Sequence, residues 1–317
     1  MALVTNAFHA FQATGNREDL TNLLSIITPK EAPLYDAMGA GAPAKGTYHE
    51  WQCDVLPAAN ADNAALEGDT YSAAALTPSL RYGNYVQIST KQFGVTEIQE
   101  VVAKAGRVSE VGYQKANALA SLKRDFEAIL FNYGSASTGG AGSTTVGRRL
   151  KNVHGWILQV TANTGYSGTV GTGNFAISGG SGLTGTTITE AVFNQIMQNI
   201  WDGGGRPNAC YVNGSLKRLV SGWGTSTSRV WAGEKKVTNV VDVYEGDFAT
   251  LELKKDRHCA SSIGYLLDEA LWKKSILLPV GEVNIGKTGM ATPVMIRQAW
   301  TIEARNPSGS GLFISAA

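Results

Sequence analysis

The residues able to do chemistry are few in this 317-residue chain, and they do not converge. Gly180, Gly182 and Gly185 fit the spacing G-x-G-x-x-G. That spacing cradles a pyrophosphate when a strand leads straight into a helix whose first amides point at the phosphate. Only Phe175, Ala176 and Ile177 precede the glycines, and the next helix cap is expected at Thr187, too late to aim its amides there. The segment around them is glycine-rich, where chance matches are common. No P-loop and no G-x-S-x-G occur, and His9, His49, His154 and His258 stand apart. His258 beside Cys259 would make half of a metal or thiol site, but adjacent residues rarely ligate one ion together, and no further partners are in view. Asn213-Gly214-Ser215 is a glycosylation acceptor pattern, which has meaning only in a secreted chain. The three cysteines, Cys53, Cys210 and Cys259, are too few and too scattered for a disulfide framework or a zinc cluster. They suit a reducing compartment. The expectation is a protein that is not an enzyme and uses no metal or cofactor.

The elements that position these residues are organised around one stretch, Ser109 to Gly134. Ser109 is an N-cap residue, Glu110 suits the positive end of the helix dipole, and Gly134 offers a left-handed stop. Leu119, Leu122, Phe126, Ile129 and Tyr133 recur at intervals of three and four and predict one apolar stripe. A helix from Glu110 to Tyr133 would run roughly 36 Å, long enough to serve as a spine.

Before the spine comes an arm. Asn16 caps a short helix carrying Leu20, Leu23, Leu24 and Ile27, and Thr28 to Gly46 reads as irregular backbone. Such a leader has no core of its own and must lie along something else. Thr47 to Leu56 and Leu80 to Val95 alternate as strands, with Trp51, Cys53 and Val55 on one face of the first. The connection from Pro57 to Pro78 is too long for an ordinary turn. It reads either as a disordered loop or as an arm that packs on another copy of the chain. From Gly46 to Leu80 there are five acids (Glu50, Asp54, Asp62, Glu67, Asp69) and no lysine or arginine, whereas the whole chain has a net charge of +1. Asp62, Glu67 and Asp69 are therefore expected to dock on a basic surface of a neighbour, at Arg107 or at the cluster Arg148, Arg149 and Lys151, with Trp51 in the same contact.

Thr96 with Gln99 predicts a short capped helix to Ala105. Beyond the spine, Gly165 to Thr187 is low-complexity. Thr187 with Glu190 reads as a capping box for a helix with Val192, Phe193, Ile196, Met197, Ile200 and Trp201 on its apolar face. Ala209 to Val212, Val237 to Val243, Phe248 to Leu253, Ile263 to Leu267 and Val294 to Ile302 read as strands, and Ser215 to Ser221 as a helix. The order gives an α+β chain with mostly antiparallel pairing. A near-balanced charge argues against neutralising a nucleic-acid backbone as the main task. The 37 glycines exceed the usual ~7% share and sit in loops. No basic n-region opens the chain and no apolar run approaches ~18 residues, so a soluble protein made inside the cell is expected.

This order of elements resembles the major capsid proteins of tailed bacteriophages with the Hong Kong 97-like fold. The resemblance rests on Arg17-Glu18-Asp19-Leu20, Thr28-Pro29-Lys30-Glu31-Ala32-Pro33, His49-Glu50-Trp51-Gln52, Lys123-Arg124-Asp125-Phe126-Glu127-Ala128 and Arg305-Asn306-Pro307. It implies an N-terminal arm (1–45), an extended E-loop hairpin (46–95), a peripheral domain with the spine helix (96–186), an axial domain (187–279) and a return strand to the peripheral domain (280–317). It further implies copies of the chain assembled as hexamers and pentamers into an icosahedral or prolate shell. Double-stranded DNA would be packaged non-specifically on the inner face, with portal and decoration or cement proteins as partners and no membrane. The place would be the virion capsid, assembled in the host cytoplasm. No long helical leader precedes the arm, so a fused scaffolding segment is expected to be absent or removed. A bacterial nanocompartment shell of the same fold is the first alternative, separable by its cargo. A nucleotide-dependent enzyme built on Gly180 to Gly185 is the second, testable by nucleotide titration.

Overall fold

The computed structural model describes residues 28–54, 56, 59–64, 67, 68, 70, 78–133, 138–157, 188–223, 242–287 and 289–314. The expected arm helix after Asn16, the Gly134 stop, the glycine excursion with Gly180, Gly182 and Gly185, Asp69 and the strand start at Val237 lie outside them. In chain order the first half forms α1 (Pro33–Ala37), β1 (Gly39–Ala40), β2 (Tyr48–Cys53), β3 (Leu80–Tyr85), β4 (Gln87–Thr96), α2 (Glu97–Val101) and α3 (Glu110–Leu130). The second half forms α4 (Glu190–Asp202), β5 (Ala209–Val212), α5 (Gly214–Trp223), β6 (Val243–Glu245), β7 (Thr250–Lys255), β8 (Ile263–Leu267), β9 (Trp272–Asn284), β10 (Ala291–Ala304) and β11 (Gly311–Ile314).

Two sheets carry the molecule. The first has the order β1-β9-β10-β4, and α3 lies against it, with Lys91 of β4 paired to Asp125 at 2.7 Å. The second has the order β11-β8-β5-β7-β6, packed by α4 and α5. Pairing is antiparallel except for β1 on β9 and β5 on β7. The strands β5 and β8 tie the two cores together through the period-2 alternation of a strand. Ala209, Tyr211, Ile263, Tyr265 and Leu267 join the cluster that holds Phe126, Trp272 and Trp300. Cys210, Val212 and Leu266 join the cluster around Phe193, Met197 and Phe313 on the other face. Both faces are covered, so every residue of both strands is buried and the runs read as continuously apolar. Gly264 is required where it stands, because a Cβ there would sit 2.2 Å from the Phe313 ring.

The spine is shorter than its pattern predicts. Ser109 does cap it, its Oγ accepting from Gly112 N at 3.1 Å, but α3 ends at Leu130, not Tyr133. Its buried apolar residues are Leu122, Phe126 and Leu130, with Ile129 only partly buried. Leu119 is 40% exposed and Tyr133 58% exposed, so neither belongs to the core as expected. The physical reason is coverage. Residues 34–36 of the arm reach α3 at Lys123 and Glu127, near its C-terminal end, whereas at its N-terminal end an ion pair, Lys115–Glu282, spans to the sheet.

Other expectations are corrected by sheet topology. The run from Leu80 to Val95 is two strands broken at Val86: β3 pairs with β2, and β4 pairs with β10. Its residue Ile88 is exposed. The helix α2 stops at Val101, four residues before Ala105. The cap of α4 is Thr189, accepting from Val192 N, and not Thr187. The strand β9 carries Pro279 and Gly281, residues that ordinarily weaken a strand. In the structure they sit beside a bulge: Arg297 faces Gly281 and Ala299 faces Leu278, so two residues of β9 oppose one of β10. The segment from Thr28 to Gly46 is not a coreless leader, since Ala32, Leu34, Met38 and Ala44 are all buried. The boundary expected at residue 280 falls inside β9, and the last strand, β11, returns to the second sheet.

Candidate self-association surfaces

Three buried polar anchors hold the arm and the hairpin onto the body. The first is Glu127 of α3. It accepts from Leu34 N through Oε1 and from Tyr35 N through Oε2, both at 2.8 Å, and so serves α1 as a cap supplied by the spine. Burial pushes its pKa up to about 9, and the nearby Asp256 carboxyl pushes the same way. Tyr35 then wedges into an aromatic knot, 4.9 Å from Phe126 and edge-on to Trp300 at 5.5 Å. Lys274 lies over the Tyr35 ring and donates to its carbonyl at 2.9 Å.

The second anchor is Glu303 near the end of β10. Its Oε1 meets His49 Nε2 at 2.9 Å and accepts from Ser275 Oγ at 2.6 Å, and its Oε2 accepts from Arg305 Nε at 3.2 Å. Burial works against this carboxylate, but the bonds from Ser275, His49 and Arg305 outweigh it and hold its pKa below the ordinary value. The third is Asn84 of β3, which donates to Ile302 O and Lys151 O and accepts from Lys151 N. Beside these, Trp51 donates Nε1 to Ala304 O at 3.0 Å and its ring lies tilted 5.3 Å from that of Trp156, while Cys53 donates to Arg305 O.

The base of the hairpin is therefore docked in cis. Trp51, expected in the contact between copies, is used inside its own chain. Arg107 is likewise engaged, paired with Glu110 at 2.6 Å and placed over the Tyr113 ring. Lys151 lies 4.6 Å over the Trp156 ring, and burial lowers its pKa to about 8, so it is a packing residue more than a surface charge. Arg148 is half-buried and Arg149 exposed, beside a loop whose Gly140 pairs with the Arg149 backbone. Asp62 and Glu67 are exposed in the hairpin tip. The structure thus leaves the acidic tip and Arg149 outward and brings none of the expected docking partners together.

No local pattern marks Glu127, Glu303 or Asn84 as an anchor. The available signal was Glu127 beside Phe126 on the buried side of a helix, where an acid needs a partner. Only the fold names that partner. Among the described residues no group of His, Cys, Asp and Glu is placed to hold a metal ion, and no helix is long and apolar enough to cross a membrane. The His258 backbone N donates to Asp256 Oδ1 at 2.7 Å, and the Cys259 thiol is buried with its pKa raised by desolvation.

Comparison with known proteins covers almost the full chain. Residues 4–317 match the family described as SU10 major capsid protein. The major capsid protein of Escherichia phage Phieco32 is 22% identical over 344 residues, spanning 98% of this chain and 97% of that one. Among solved structures, the capsid asymmetric unit of cyanophage A-1(L) superposes with a TM-score of 0.62 at 15% identity, covering 97% of this chain and 98% of the other. The capsid of a native GTA particle gives 0.64 at 9% identity, with the same coverage. At these identities the structural likeness speaks for the fold.

Proposed function

The chain belongs to the SU10 major capsid protein family, and from that premise we propose that its copies assemble as hexamers and pentamers into a closed shell around double-stranded DNA. The shell-forming structural role and the place in a phage capsid come with the family. The arrangement into capsomers, the packaged DNA, the portal and decoration partners, assembly in the host cytoplasm and the absence of catalysis are part of the reading. So are the arm, E-loop, peripheral and axial roles of the segments. The observation that carries it is the hairpin. Its base is bolted to the first sheet, yet every described residue between Asp54 and Leu80 is exposed. A two-stranded ribbon is marginal alone in water, so a neighbouring copy is the natural surface for the tip. A near-neutral chain, +1 overall, suits a wall that does not clamp its contents.

The test is sedimentation with electron microscopy of the purified protein across salt and concentration. Rings and closed shells are expected. A compact monomer under all conditions would count decisively against the reading.

A further inference from the structure

The helix α2 is built inside out. Ile98, Val101 and Val102 lie at spacings of three and four, which puts them on one face of a helix. That face points to solvent: Ile98 is 65% exposed and Val101 85% exposed, and the helix contributes no buried residue. The side chain turned toward the body is an acid, Glu100, which accepts from Glu110 N at 2.9 Å and Val111 N at 3.3 Å at the start of the spine. Val108, just before the spine cap, is 100% exposed. Met290 is exposed in the β9–β10 turn, and its carbonyl accepts from Glu97 N at 2.9 Å. One end of the first sheet therefore gathers five exposed apolar side chains from three neighbouring segments.

The charges around them identify the occupant. Residues 97–115 and 282–290 carry eight charged side chains, and all are ion-paired within the chain: Glu97 with Lys287, Glu100 with Lys104, Glu110 with Arg107, and Glu282 with Lys115. Four acids meet four bases, so the region has no net charge to draw nucleic acid, which binds through unneutralised cations. It can also be desolvated without stranding an unpaired charge, the condition that makes buried charge costly. An apolar centre with an ion-paired rim is the composition of a protein–protein interface, and interfaces between identical subunits are the more apolar ones. We propose that the face formed by Ile98, Val101, Val102, Val108 and Met290 is a contact with a second copy of this chain in the assembled shell. The proposal rests on the shell-forming reading above and adds the surface that reading leaves unassigned.

Two charge insertions test it. Val101→Asp places a carboxylate at the centre of the face, and Val108→Asp does so from a loop where no helix is at risk. Both should keep the wild-type circular dichroism and unfolding midpoint, while assembly followed by light scattering slows at least tenfold. Val146→Asp, at an exposed position on the 138–149 loop, should assemble at the wild-type rate. Folded variants that assemble as fast as wild type would overturn the proposal and leave the shell reading standing. A wild-type protein that never assembles would overturn both. In addition, Val101→Cys should react with a maleimide at least tenfold more slowly in shells than in free subunits, read by peptide mass spectrometry. Equal reactivity would show that the face stays open in the shell, for some other partner, and would equally overturn the contact.

Discussion

The helices α2 and α3 follow one another, both begin at a hydroxyl cap, and both carry apolar residues at helical spacing, yet they use them in opposite ways. In α3, Leu122, Phe126 and Leu130 turn inward against the arm and the first sheet. In α2, Ile98 and Val101 turn outward, and the inward contact is made by Glu100. The difference teaches that periodicity identifies a face but not the surface that will cover it. Within α3 itself the same contrast recurs. Leu119 continues the stripe by spacing, but it is exposed because the arm does not extend that far.

The comparison breaks most readily at the aromatic knot. Trp300 is fully buried, 5.0 Å from Phe126, and donates Nε1 to Ser89. Trp300→Ala should cost about 3–5 kcal/mol, the range for removing a large buried side chain, and should release Tyr35 and with it α1. The measurement is the denaturant midpoint together with proteolysis of residues 28–46. A loss under about 1 kcal/mol would mean that the arm and spine are not held through this knot.

Leu122 and Leu119 sharpen the contrast one turn apart. Leu122→Ala should cost about 2–5 kcal/mol, and Leu119→Ala should stay within about 0.5 kcal/mol for the isolated subunit. Equal costs would show that the exposed half of the spine is covered in solution.

The two buried carboxylates should leave opposite marks on the pH profile. Glu127 has its pKa raised by burial to about 9, so its contribution is fully present below the ordinary value of 4.5 and is lost as pH rises toward 9. Glu303 has its pKa lowered, so its contribution is present above 4.5 and is lost as pH falls below it. Glu127→Gln should flatten the alkaline decline in stability, and Glu303→Gln should flatten the acid one. Denaturation midpoints from pH 3 to 9 (about the span of those two titrations) would expose a profile unchanged by either substitution, and that result would refute the assignment.

The smallest effect belongs to the hairpin tip. Replacing Asp62, Glu67 and Asp69 by Asn, Gln and Asn should slow assembly a few-fold at low salt, with the difference shrinking as salt screens it. Arg149 is the remaining outward cation of the expected docking set, so Arg149→Ala should mimic the loss. Identical rates for mutant and wild type at low salt would remove electrostatics from the docking of the tip.

The amino-acid sequence by itself determined the local features: the Ser109 and Thr96 caps, the alternation in β2, the helix α4, and the buried runs β5 and β8. Each depends on neighbours within a few residues, where propensity and periodicity act directly. The sequence also determined the acidic character of the tip. What only the tertiary structure decided is which faces meet. Trp51 reads as part of a contact between copies and is engaged by Ala304 and Trp156, and Arg107 and Lys151 read as basic docking sites and are engaged in cis. The strand β9 continues through Pro279 because the irregularity is taken up as a bulge within β9, where two residues oppose one of β10. Glu127 and Glu303 read as ordinary acids and turn out to fasten the arm and the hairpin. Trp51, Glu127 and Glu303 reach partners 92 to 254 positions away in the chain, and no local pattern carries that distance. Solvent does not distinguish an apolar face awaiting a partner from one already covered until the chain has closed around it.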